Sequence, residues 1–459
     1  MIQQLKSAEE MPGSYGLPLL GETLELFTRD GYSFLWERFQ RYGPVFKSSL
    51  TGKKCAILVG PDANKLFMQE KADNLSAYLG WKFVLEPFVG RPIFMYDGQE
   101  HRRRRRLMAP AFSGQVVAEY YFKTMDYVIQ SFLKDWAEGG TIPLLEELRK
   151  LILSVSIRLF LGIERENEVE DISQVFKTLS EGFMTVLRLD IPLTAYGRAR
   201  NASRQLRALL KTIIAERKSQ GNLQKYRDAL SFLLVAVDED GNSLSESEVI
   251  DEALSLLNGA YTTTPVLISS LIFELSANPT WRERLRQEQK QICGEKVLAL
   301  EHLKQFTQMT YVLKEVERLY PPSPFFFRGV VKDIEYGEYH IPAGWYVAVS
   351  PLLTHRMSEI YSEPNSFDPE RFAPPREEDK QYPFSLVGFG GGVHNCLGFG
   401  FAQMLMKILL SHLLRHYDLR LTPELSEIES IRKIEMPKQK KFLEILENFR
   451  LDFTTLTAM

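Results

Sequence analysis

The chain has 459 residues, 44% hydrophobic and 25% charged, the balance of a soluble globular protein with a large core, which excludes an extended disordered chain. A net charge of −3 at pH 7 removes the electrostatic basis for nucleic acid as the main partner. Its three cysteines, Cys55, Cys293 and Cys396, lack metal-ligand spacing, exclude a secreted disulfide framework and fit a reducing compartment.

The opening MIQQLKSAEEMPGSYGLPLLGETLELF is interrupted by Lys6, Glu9, Glu10 and Pro12 before about 20 apolar residues can accumulate, so it predicts neither a signal peptide nor a transmembrane anchor. FKSSL and CAILVG read as strands on either side of a Thr51-Gly52 turn. From Glu119 to Gln291 helical periodicity dominates. LRKLILSVSIRLFLGI falls within it, and Arg149, Lys150 and Arg158 mark that stretch as a buried helix rather than a membrane span. In LRLDIPLTAYGRAR, Pro192 and Gly197 predict a loop between helices. Ser245, followed by Glu246 and Glu248, predicts the capped start of a long helix to Asn278 whose apolar faces place it through the centre of the molecule.

A further helix is expected to end near Tyr320, IEYGEYHIPAGWYVAVS reads as short strands and turns, and a last helix follows Cys396. No repeat or linker interrupts the chain. The reading is one mainly α domain over 1–459, with a small β lobe contributed by 40–75 and 325–355 and an atypical tail over 422–459.

GFGGGVHNCLGFG surrounds Cys396 with glycine. Gly388, Gly390, Gly391 and Gly392 would let backbone approach a flat, bulky ligand, while loop amides and a following helix N-terminus would favour a thiolate. A buried structural cysteine beside a glycine turn is the alternative. The order Phe389, Gly392, His394, Cys396, Gly398 resembles the F-x-x-G-x-[R/H]-x-C-x-G loop of the cytochrome P450 family. The resemblance implies the cytochrome P450 fold, haem b as cofactor and Cys396 as the axial ligand of its iron, with Phe389, His394 and Gly398 at the cofactor. His394 stands where the family usually has arginine, which implies a weaker, pH-dependent pairing with a haem propionate.

Other segments are similar to the same family. Glu315 and Arg318 in LKEVERLYPP, with Arg371 in PERF, resemble its buried structural charge network. In GQEHRRRRRLMAPAF, His101 and Arg105 lie one helical turn apart and resemble its propionate-binding pair, leaving Arg103, Arg104 and Arg106 as candidates for docking an acidic electron donor. Arg328 occupies a further propionate position, and the preceding Phe325 to Phe327 border the family's substrate. In the long helix the family reads roughly A-G-x-[D/E]-T-T; this chain has Thr262 in place of the acid and Thr263 at the proton-managing threonine, the two candidate catalytic residues, followed by Pro265, which predicts a kink.

PGSYGLPLLGETLELF and LRLDIPLTAYGRARNASRQLRALL are similar to the branch that holds retinoic-acid hydroxylases, their cyanobacterial relatives and plant steroid hydroxylases. What that implies is a monooxygenase for an elongated apolar substrate (retinoid, apocarotenoid, terpenoid or steroid-like), fed two electrons by a ferredoxin or flavoprotein, in the cytoplasm or peripheral at a membrane surface. Arg91 and Arg188 are either anchors for a substrate carboxylate or solvated surface residues. Thr262 leaves open an isomerase, dehydratase or peroxide-using enzyme, and a haem-dependent sensor or carrier is the non-enzymatic alternative.

Overall fold

The computed structural model describes residues 5–455 apart from 18–20, 24, 26–30, 51, 184, 186–187, 222 and 423–445. Most of the tail 422–459, and with it the expected last substrate-contacting turn, lies outside the described residues.

The principal helices are α1 (Gly31–Tyr42), α2 (Ala77–Val89), α3 (Gly98–Met108), α4 (Phe122–Gly139), α5 (Leu144–Ser156), α6 (Glu166–Ser180), α7 (Ala195–Ser219), α8 (Glu246–Ala277), α9 (Pro279–Cys293), α10 (Thr307–Leu319) and α11 (Phe399–His416). A five-stranded sheet runs in the order β1 (Val45–Leu50), β2 (Lys53–Leu58), β6 (Tyr346–Val349), β5 (Phe326–Val330), β3 (Leu75–Ser76). The β1–β2 hairpin is antiparallel with Val45 opposite Leu58, β2 joins β6 in parallel, and β5 pairs antiparallel with both β6 and β3. β4 (Thr141–Pro143) lies at the edge of a second sheet with β8 (Arg450–Thr455) and β7 (Tyr417–Thr422). The buried side of β1 is Phe46, Ser48 and Leu50, the alternation expected of a strand with one face on the core.

α8 is built from both ends of its sequence signal. Ser245 Oγ accepts from the Glu248 amide at 3.3 Å, and the Glu248 carboxylate accepts from the Ser245 amide at 2.8 Å, a reciprocal cap. Its apolar faces then pass through the largest core cluster, with Leu254, Leu257, Leu271 and Phe273 buried. Among the described residues α8 is the one helix long and apolar enough to cross a membrane, and it is mostly buried in protein. Pro265 lies inside α8, and α-helix runs unbroken past it from Glu246 to Ala277. Close packing around the buried Thr264, Leu267 and Ile268 holds the turn that a missing N–H would otherwise loosen.

Gly197 departs from its predicted loop. It lies in the first turn of α7, where Thr194 Oγ1 caps its amide at 2.9 Å, and an added Cβ would meet the Ile191 carbonyl oxygen at 1.9 Å. The glycine therefore marks a close approach and not a chain break.

Candidate active site

Cys396 sits between a tight loop and the start of α11. Its amide donates to the Phe389 carbonyl at 2.8 Å, closing the loop, and the Gly398 and Phe399 amides at the helix start point toward Sγ. Burial pushes the thiol up from its usual range, while those amides and the Arg105 guanidinium pull it back. Phe389 stacks edge-on against Phe399 at 5.0 Å.

The loop glycines also serve the protein's own packing. Gly390 and Gly392 have φ of 74° and 59°, and a Cβ on Gly392 would lie 2.3 Å from the Met68 carbonyl oxygen. On Gly391 it would meet Met68 Sδ at 2.8 Å, and on Gly388 it would meet Glu317 Cγ at 2.6 Å. Glu317 belongs to no motif read from the sequence, yet it is buried on the wall of the same cavity as Cys396. Burial pushes its carboxyl up to about 7, with the Gly388 and Phe389 amides pulling it back.

His101, Arg105, Arg328 and His394 come from three distant stretches and gather beside that loop. The His101 and His394 rings stack at 4.0 Å, Arg105 Nη1 donates to the Asn395 carbonyl at 2.7 Å, and Arg328 Nη1 donates to the Phe67 carbonyl at 3.2 Å. Asp97, whose carboxylate caps the Ala77 amide, lies 3.6 Å from His394 Nε2. Burial, then the neighbouring His394 and Arg105, push His101 down to about 3; burial pushes Arg328 down to about 10.

The three-part charge network is compact. Glu315, Arg318 and Arg371 are fully buried. Arg318 Nε and Nη2 donate to Glu315 at 2.7 and 2.8 Å, and Arg371 Nε donates to both Glu315 oxygens at 3.1 and 3.2 Å. Arg318 also donates to the carbonyls of His355, Pro364 and Ser366, which ties α10 to the chain leading into the cysteine loop.

A cavity of about 330 Å³ separates this loop from α8. Its lining includes Ile93, Phe94, Phe112, Phe160, Leu256 and Phe326, with Thr263 contributed by α8. Thr262 does not: it is exposed, absent from the cavity wall, and its hydroxyl donates to the Asn258 carbonyl at 2.8 Å. The Thr263 hydroxyl donates to the Gly259 carbonyl at 2.8 Å, which leaves its lone pairs free to accept from a water in the cavity. Of the three phenylalanines only Phe326 lines the cavity; Phe325 and Phe327 pack together at 5.8 Å in a separate core cluster.

Several arginines lie elsewhere than the sequence suggested. Arg104 is buried, held by Glu100, Glu248 and Glu252 and stacked over Tyr96 at 3.9 Å, so it cannot present charge to a partner. Arg103 is paired with Asp238 at 2.5 Å, whereas Arg102 and Arg106 are exposed, Arg106 within 3.7 Å of the exposed Glu239. Arg91 and Arg188 are not on the cavity wall: the first lies over the Tyr78 and Tyr96 rings at 4.3 Å each, the second over Phe83 at 3.9 Å.

A family model for cytochrome P450 matches residues 11–445. The chain belongs to the cytochrome P450 family. The solved structure of a cyanobacterial CYP120A1 with retinoic acid bound superimposes with a TM-score of 0.87 at 32% identity, covering 99% of this chain and 100% of that one, and the fold is the P450 fold. A cytochrome P450 120 of Synechocystis sp. is 34% identical over 421 residues, 91% of this chain and 93% of its own. The taxane 10-beta-hydroxylase of Taxus cuspidata is 30% identical over 421 residues, 89% of this chain and 83% of its own. The protein is thus a P450 monooxygenase. The family implies a haem with cysteine thiolate ligation, and this site suits one. His101 Nδ1 is buried without a hydrogen-bond partner among the described residues, and the described partners of the buried Arg328 are a carbonyl and a ring, so donors for propionate carboxylates lie ready beside the one cavity-facing cysteine.

Proposed function

We propose that this P450 hydroxylates an elongated apolar substrate of the retinoid or terpenoid class, with haem b held by Cys396. The observation that carries the reading is the position of Cys396 on one wall of a cavity whose other walls are largely apolar. Two relatives support the class, one structure carrying retinoic acid and one enzyme named for a taxane.

Cys396 Sγ would bind the iron, His101, Arg105, Arg328 and His394 would hold the propionates, and the Phe389 ring would cover the sulfur side. When bound, the haem would supply activation of dioxygen, with the Cys396 thiolate donating electron density to its iron. Phe94, Phe112, Phe160 and Phe326 would pack the substrate and exclude bulk water, while the Thr263 hydroxyl would hold a water and pass protons along it. Glu315, Arg318 and Arg371 would keep the cysteine loop in register and touch no reacting atom.

Arg102 and Arg106 on α3 are the exposed cations left for an acidic ferredoxin or flavoprotein. Exposed Leu189, Ile191 and Leu193 before α7 support peripheral contact with a membrane surface. The test is titration with all-trans retinoic acid while the haem band is followed, then turnover under isotopically labelled dioxygen. A saturable low-spin to high-spin shift and one labelled oxygen atom per product are expected. Product formed without reductant or peroxide would replace the reading with an isomerase or dehydratase, and binding without turnover under every donor would point to a sensor or carrier.

A further inference from the structure

α10 carries two buried glutamates, Glu315 and Glu317, that face different ways. Glu315 is matched by Arg318 and Arg371. Glu317, about 200° further round the helix, turns its carboxyl to the chain that enters the cysteine loop. A Cβ on Gly388 would lie 2.9 Å from Glu317 Oε1, and the Gly388 and Phe389 amides are the hydrogen-bond donors that favour its charged form. Among the described residues no salt bridge reaches it, and Lys314, one turn back on α10, gives its ammonium to Asp379 at 2.6 Å.

Anchoring the loop does not by itself call for a charge here. The preceding amide, that of Val387, donates to the neutral His355 ring at 3.0 Å, and Arg318 fixes the carbonyls of His355 and Ser366. A neutral acceptor therefore suffices for this stretch of chain. A carboxylate without an ion-pair partner carries the full desolvation cost of a buried ion, and what it adds in return is its charge. That charge sits one residue from the sulfur's own support: Phe389 turns its amide to Glu317, and its carbonyl accepts from the Cys396 amide at 2.8 Å. Glu317 is also one of the charges that act on Cys396 itself.

We propose that Glu317 is a positioning charge for electron entry: it fixes Phe389 in the cysteine loop and opposes the added electron on the haem, setting the ferric–ferrous potential below what a neutral residue there would give. The sign follows from Coulomb repulsion, which a water-poor interior screens weakly. Reduction here places one electron on the iron and makes or breaks no bond. A lowered potential calls for a strongly reducing donor, in the range that iron–sulfur clusters reach.

The inference rests on the reading of Cys396 as the haem ligand. The midpoint potential of substrate-free holoprotein is measured by dye-mediated titration with dithionite at about pH 8.5, where a carboxyl pushed up to about 7 is charged. Glu317→Gln keeps the shape and an acceptor oxygen but removes the charge. It is expected to shift the one-electron equilibrium about tenfold toward the ferrous form, a rise of about 59 mV. Glu317→Asp, which keeps the charge, should stay nearer the wild-type value. Should Glu317→Gln lose haem, Glu317→Met carries the same test, because an apolar side chain needs no partner in that buried place. A loop anchor alone would lower the melting temperature of the neutral variants and leave the potential where it was, so a haem-loaded neutral variant with an unchanged or lower midpoint overturns the proposal. A wild-type protein without a thiolate-type carbon monoxide band defeats the haem reading instead.

Discussion

Arg318→Ala should be among the most damaging single changes outside the cavity. The guanidinium is fully buried and uses its donors on Glu315 at 2.7 and 2.8 Å and on the carbonyls of His355, Pro364 and Ser366 at 2.8, 2.6 and 3.2 Å. Glu315 would keep Arg371 and the Asp368 amide at 2.8 Å, so its charge would be half-compensated and not bare. The three carbonyls would lose their donor, and the truncated side chain would leave a void. Breaking a buried pair of this kind costs about 3–5 kcal/mol, a fifth or more of the roughly 5–15 kcal/mol that separates folded from unfolded domains. Because His355 and Ser366 lie on the path into the cysteine loop, the loss should appear first as haem content and then as denaturant midpoint. Arg318→Lys, with one ammonium in place of a fork, should fall between alanine and wild type. An Arg318→Ala protein with full haem content and an unchanged midpoint would refute this account of the network.

Thr263→Ala should lower product formed per electron pair consumed by about tenfold, the worth of one hydrogen bond, whereas Thr262→Ala should stay near wild type because its side chain is off the cavity wall; equal losses would contradict that assignment. His355 accepts from the Val387 amide at 3.0 Å through Nε2 and pairs with the Arg318 carbonyl at 3.1 Å through Nδ1, so it is neutral, and burial with the Arg318 charge pushes it down to about 3. The unfolded chain takes up this proton below about pH 6.5 and the folded chain does not, so stability should fall from pH 6.5 toward 3, and melting curves of His355→Asn should lose that acid limb. Gly392→Ala, at φ of 59° with its Cβ 2.3 Å from the Met68 carbonyl oxygen, should reduce haem retention and melting temperature together; an alanine variant that melts like wild type would contradict the packing role of the glycines.

Much of this was legible because it rests on local chemistry. The Ser245 cap, the length of α8 and the strand pair around Thr51-Gly52 follow from capping, periodicity and turn residues. The gathering of His101, Arg105, Arg328 and His394 could be anticipated only through the resemblance, since no spacing rule joins stretches so far apart. What stayed hidden was decided by tertiary contacts. Arg103, Arg104 and Arg106 look alike in sequence, and only the arrival of Glu248, Glu252 and Asp238 from other segments separates a buried residue from an exposed one. Gly197 reads as a loop residue, and packing places it in the first turn of α7. Glu317 was the missed signal: it lies two residues after Glu315, so it cannot share that residue's face, and its neighbours Val316 and Leu319 are apolar.

The central claim is that Cys396 is the ligand that makes this chain a haem-thiolate enzyme. The most direct measurement is the absorption spectrum of reduced, carbon monoxide-treated protein beside a Cys396→Ala variant prepared in the same way. The account predicts the red-shifted thiolate band in the wild-type protein and its loss in the variant; a band that survives in Cys396→Ala, or is missing from haem-loaded wild type, would contradict it.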